Sequence, residues 1–184
     1  MKAMLSKAAP RERLHTREIV CHGYRRQDGW WDIEGTMEDT KTYSFANHDR
    51  SGIAAGEPVH RMHIRLTLDD ELLIHAAEAV TEAGPFSICG DITPVFASLV
   101  GLRIGAGWRR DALERMRGVH GCTHLTELLL GPITTTAMQT IRAARQGRES
   151  TRSGRPPVIG TCHALAPSSP VVARQWPEHY TPEA

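Results

Sequence analysis

No apolar run in this chain approaches the roughly 20 residues that a membrane-spanning helix needs. The opening segment MKAMLSKAAPRERLHTREIV carries a lysine but no continuous apolar stretch of the kind a secretion signal requires. A cytoplasmic protein is therefore the default expectation. Neither sign of charge is in excess, since 22 Lys+Arg stand against 21 Asp+Glu. Nothing in that balance calls for nucleic acid or an anionic membrane. There is no internal repeat. There is also no C-x-x-C pair, and no H-x-x-x-H pair lies within an expected helix, so the strongest zinc signatures are missing. The four cysteines, in a reducing compartment, read as thiols or ligands and not as a disulfide framework.

What is present is enough for a real core. A chain of 184 residues can bury one without metal or disulfide staples. A bound metal would then serve function more than folding. Ten histidines is a high count for this length.

The pattern along the chain divides it. Residues 1–14 are small, basic and aperiodic, and read as a flexible arm. Residues 15–146 read as a single α+β domain, 147–157 as a polar linker or loop, and 158–184 as an extended tail packing back on the domain. The Asp28-Gly29 dipeptide favours a two-residue type I′ hairpin loop. That loop sets Tyr24 opposite Ile33, Val20 opposite Met37, Arg25 opposite Asp32 and Cys21 opposite Thr36. One face would carry Val20, Tyr24, Trp31, Ile33 and Met37, and the other Arg17, Arg25, Asp32, Glu34 and Glu38. In HRMHIRLTL, Met62, Ile64, Leu66 and Leu68 alternate with Arg61, His63, Arg65 and Thr67, which predicts a half-buried strand. After a turn at Asp69-Asp70, LLIHAAEAVTEA reads as a further strand.

The second half is helical in pattern. Thr93 is a suitable N-cap, with Pro94 at the first helical position. WRRDALERMRG predicts a short helix stopped by Gly118. A longer helix starts near Thr123 with Leu125, Leu128, Leu129, Ile133, Ala137 and Ile141 as its buried stripe, and Pro132 should kink or split it. Strands first and helices after is the order of an α+β fold: an antiparallel sheet formed mainly by the N-terminal half, with the C-terminal helices on one face.

The candidate chemistry lies where helices begin. Cys89 and Cys122 each stand near an expected helix start, where backbone N–H groups and the helix dipole favour a thiolate. His120 and His124 flank Cys122, and His60 stands at the head of the third strand on its apolar side. Thiolate and imidazole together suit zinc, iron or an iron–sulfur cluster. The expected metal set is Cys89, Cys122, His60, His120 and His124. Glu127, one helical turn after His124, would orient that histidine as an outer carboxylate. The competing readings are buried apolar thiols for Cys89 and Cys122 and a solvated surface position for Glu127. Cys162 and His163 form a further local cluster that either joins the site or stands alone.

Several motifs carry a resemblance. HTREI, GYRRQDGWWDIEG, AGEPVHRMHIRLT, LVGLRIGAGW, GVHGCTHLTELL and WPEHY resemble a bacterial family known only as a domain of unknown function, over about His15 to Tyr180. The stretch from GEPVHRMHIRLT through GCTHL also looks like the iron–sulfur scaffold proteins of the NifU and IscU type. That likeness implies a NifU/IscU-like architecture in which Cys89 and Cys122 match the second and last scaffold cysteines and His60 takes the place of an aspartate. Pro58 stands where the scaffold has its first cysteine. Gly121 stands where it has a histidine, with His120 one residue further back.

Three functions follow as expectations. The first is a metal-binding Cys/His-site protein, either a metalloenzyme acting on a small molecule or an accessory protein that meets a metal-delivery partner. The second is a metal-free enzyme, hydrolase or acyl transferase, with Cys122 as nucleophile and His120 or His124 as base. The third is an interaction module without chemistry, in which the face bearing Arg61, His63 and Arg65 binds a partner or a second copy as a homodimer.

Overall fold

The computed structural model describes residues 5–146, 154–156 and 158–182. Four strands form one antiparallel meander in the order β1-β2-β3-β4. They are β1 (His15–Arg25), β2 (Trp31–Lys41), β3 (Pro58–Leu68) and β4 (Ile74–Ala83). The helices follow: α1 (Trp108–Met116), α2 (Thr123–Leu128) and α3 (Thr134–Gln146), the last two joined by a π-helical turn at Leu129–Ile133. This is the α+β arrangement expected. The expected stripe of Leu125, Leu128, Leu129, Ile133, Ala137 and Ile141 is fully buried against the apolar face of the sheet.

The β1–β2 register differs by one residue from the expected one. Arg26 N–H donates to the Trp30 carbonyl at 2.8 Å and Gly29 N–H to the Arg26 carbonyl at 3.2 Å. The loop is thus three residues, Gln27-Asp28-Gly29, with Gly29 alone left-handed at φ 92°. A type I′ loop would need a positive φ at Asp28 as well, whereas a turn closed by one left-handed glycine needs only Gly29. Ile19 therefore pairs with Met37, Cys21 with Gly35 and Gly23 with Ile33. Val20 and Tyr24, expected inside, are outside, about half exposed. Cys21, expected on the polar face, packs against the core. The slip also turns Arg17 to the helix side, opposite Asp39.

The packing accords with this register: it turns Gly23 toward α3, while Gly35 faces inward in either register. A Cβ on Gly35 would come within 2.7 Å of Ile133, and one on Gly23 within 2.1 Å of the Thr140 hydroxyl. The two glycines let the π turn and α3 lie directly on β1 and β2. At the turn itself, Pro132 has no N–H to donate. Thr134 closes the ladder instead: its N–H and its hydroxyl (2.8 Å) both reach the Leu129 carbonyl. The Thr134 hydroxyl also accepts from the buried Trp108 indole at 2.9 Å.

Two local expectations fail. Thr93 does not cap a helix; its hydroxyl donates back to the Gly90 carbonyl at 2.9 Å, and residues Thr93–Leu99 form a 3-10 helix. Cys89 lies inside a separate 3-10 turn, Ser87–Gly90, and not ahead of an α-helix.

Contacts divide the chain into two compact units between Gln146 and Gly147. The expected linker lies largely outside the described residues. The second unit contains α4 (Pro170–Gln175), capped by the Ser169 hydroxyl accepting from Val172 N–H at 3.2 Å, and 3-10 turns at His163–Leu165 and Pro177–His179. Residues 163–179 are thus largely helical where an extended segment was expected, because Ser169-Pro170 supplies a cap and a first helical residue.

Candidate metal centre

Asp39 occupies the inward-facing parity of β2, after Trp31, Ile33, Gly35 and Met37, and only 2% of it is exposed. A carboxylate there must be compensated. Arg17 grips it from β1 with two parallel bonds, Nε to Oδ1 and Nη2 to Oδ2, each 2.8 Å. His15 Nε2 lies 3.0 Å from Oδ1 and His60 Nδ1 lies 3.0 Å from Oδ2. A bulge between Asp39 and Thr40 pairs Asp39 with His60 and Thr40 with Pro58. Bulges re-aim side chains in this way beside functional sites.

His124 arrives from the first turn of α2. Its ring lies over that of His60, with centroids 3.8 Å apart and planes at 32°. One ligand-type atom from each of Asp39, His60 and His124 lies within 4.8 Å of the other two. Three elements distant in sequence, β2, β3 and α2, thus converge on one point. Among the described residues no cysteine belongs to such a group.

The electrostatics keep the imidazoles neutral and the carboxyl ionised. Burial pushes both imidazoles below their ordinary value, with the neighbouring His124 adding to the effect on His60 and Arg17 to that on His124. Burial opposes ionisation of Asp39, but hydrogen bonds from Arg17 and His15 outweigh it and bring its carboxyl to about 2. The hydrogen bonds to Asp39 drive Arg17 well above its usual range. The site therefore offers one carboxylate and two neutral imidazoles, with Arg17 as resident counter-charge.

The residues expected from sequence divide. His60 and His124 are in the cluster. Cys122 stands beside it: its Sγ is 4.0 Å from His124 Nδ1, and it packs partly buried against the core as the cap residue of α2. Glu127, expected to orient His124, instead accepts from Arg17 Nη1 at 2.5 Å. Cys89 packs against Gly84, where an added Cβ would meet its own Cβ at 2.7 Å. His120 ends an exposed 3-10 turn, Gly118–His120. Gly121 cannot carry a side chain, because a Cβ would fall 1.7 Å from the Met116 carbonyl oxygen. Cys162 is exposed in the second unit.

Asp39, His15 and Arg17 were not expected at the site. The signal for Asp39 was available: it is an acid at the inward-facing parity of β2, where a charge must find partners. Arg17 was hidden by the register.

The outer face of the sheet is not a free basic surface. Arg61 bonds Glu38 and Glu82, His63 bonds Glu82, and Arg65 bonds Glu34 and Glu78, at 2.6 to 3.1 Å. Among the described residues no helix is long and apolar enough to cross a membrane.

A family model described as "Protein of unknown function (DUF2889)" matches residues 15–139. Neither the curated proteins nor the solved structures contain a match.

Proposed function

We propose that this chain, which belongs to the DUF2889 family of proteins of unknown function, is a metal-binding protein holding a single divalent transition-metal ion at Asp39, His60 and His124. The observation that carries the reading is the convergence of those three donors within 4.8 Å. Two imidazoles and a carboxylate suit Zn²⁺ or Fe²⁺ better than Mg²⁺ or Ca²⁺. Three protein ligands leave positions open, which is how ions that act on substrate are held. The reading is therefore a metalloenzyme for a small molecule, in a cytoplasmic setting that keeps the four free thiols reduced. Asp39, His60 and His124 would hold the ion, and Arg17, bonded to both Asp39 oxygens and to Glu127, would be its competitor for Asp39.

A single ion fits these donors better than an iron–sulfur cluster, which needs several thiolates. The strand-then-helix order accords with a NifU/IscU-like architecture. A cluster-assembly role has less support, with Pro58 in place of one thiol and Cys89 packed against Gly84.

The test is titration of the metal-stripped, untagged protein with Zn²⁺, and with Co²⁺ as a visible probe. One equivalent should bind, and His60→Ala or His124→Ala should weaken binding at least about tenfold, a loss of ~1.4 kcal/mol. Equal binding by both variants would sink the assignment.

One observation favours a second reading. The 4.0 Å approach of Cys122 Sγ to His124 Nδ1 is the start of a thiol–imidazole pair. On that reading the metal-free protein carries one thiol that reacts far faster than the others, and His124→Ala slows it.

A further inference from the structure

Beside the Asp39, His60 and His124 cluster, between α1 and the α2–π segment, runs a groove of about 630 Å³. Leu113, Met116, Leu130 and Pro132 supply its apolar lining. Its size falls in the range of small-molecule sites. Two of its lining residues tie it to the cluster. Cys122 reaches His124, and Glu127 holds Arg17, which grips Asp39.

The groove has a definite charge character. Arg109 and Arg117 line it from the start of α1 and from just past its end, and neither forms an ion pair among the described residues. Its acid, Glu127, is bonded by Arg17, a guanidinium it shares with Asp39. An apolar channel with two guanidinium groups that have no acid partner among the described residues is complementary to an organic anion, and guanidinium recognises carboxylate by paired hydrogen bonds.

We infer that this groove binds a small carboxylic acid with an apolar body, its chain on Leu113, Met116 and Leu130 and its carboxylate on the guanidinium of Arg109 or Arg117. The inference rests on the metal reading in one respect only: it supplies the class of molecule that the open face of the ion would meet. Binding of the acid itself does not require the ion.

Cys122 is a built-in reporter, because it lines the groove while Cys162 lies in the other unit. The experiment is maleimide labelling of the full chain in chelator, with the rate at each cysteine read by peptide mass mapping. Octanoate should slow labelling of Cys122 several-fold and leave Cys162 unchanged; acetate and octanamide should do much less. In Arg109→Gln/Arg117→Gln, octanoate should lose its advantage over octanamide. No protection of Cys122, equal protection by octanamide, or a uniform effect on all cysteines would overturn the proposal. Because chelator is present throughout, that failure would be separate from failure to bind Zn²⁺.

Discussion

At the scale of single residues, the centre of this protein is a buried carboxylate whose two oxygens each take two hydrogen bonds. Asp39 engages one guanidinium and two imidazoles, while a third imidazole, that of His124, stacks on His60. Arg17 is the member whose removal separates folding from binding. In Arg17→Met, Asp39 loses two charge-assisted bonds, and the metal-free protein should lose about 1–3 kcal/mol of stability. The same change removes a positive charge competing for the Asp39 oxygens. Zn²⁺ should then bind about tenfold tighter, ~1.4 kcal/mol, and added Zn²⁺ should recover part of the lost stability by mass action. Thermal melts with and without metal check both signs; a variant that is destabilised and also binds Zn²⁺ more weakly would mean that Arg17 positions Asp39 more than it competes.

At the scale of elements, the turns decide where side chains point. The β1–β2 loop does so through Gly29, as the register shows. The β3–β4 turn does so through Asp69. Its carboxylate accepts from the N–H groups of Glu71 and Leu73 at 2.8 and 2.9 Å, and lies 3.0 Å from His75 Nε2. These bonds hold Leu72 in its left-handed conformation at φ 63° and so bury its side chain. Burial opposes ionisation of Asp69, but the bonds from His75 and from the two backbone groups win, and its carboxyl lies below the ordinary value. A carboxyl depressed in the folded state adds stability that is complete above its unfolded value, near 3.9. That stability is lost as pH falls through the lower folded value. Acid unfolding of the wild type should therefore be steeper below about pH 4 than that of Asp69→Asn. Denaturant melts between pH 2 and pH 6 measure it, and parallel curves would remove the role of Asp69.

At the scale of the whole molecule, the fully buried members of the apolar cluster among the described residues run from Trp31 to Ile141, with Ile19 and Cys21 of β1 packed against them. The candidate site and the groove also lie within the first unit. A chain ending at Gln146 should consequently unfold as one cooperative transition and keep Zn²⁺ affinity within about threefold, under 1 kcal/mol. Calorimetry and the same metal titration check this. A broad, non-cooperative transition would show that the second unit completes the core. The charge ladder on the outer face belongs to this scale too. Its arginines are matched by glutamates strand by strand, as favourable cross-strand pairs, so the charges of Arg61, His63 and Arg65 are internally satisfied.

The amino-acid sequence by itself determined the four strands, the helices from Trp108 to Gln146, their order and the buried stripe of the long helix, because those follow from local periodicity, from proline and from glycine. It also named His60 and His124, whose positions at a strand head and a helix start are local facts. Only the tertiary structure decided that these two meet over Asp39, that Arg17 faces inward and that Cys89 does not join them. The reason is geometric: side chains alternate across a strand with period two, so a single residue gained in one loop moves every side chain of β1 to the other face. The face of β1 that turns inward is the one whose Gly23 lets α3 lie close, with Thr140 where a Cβ would be, a contact between segments about a hundred residues apart that no local pattern contains.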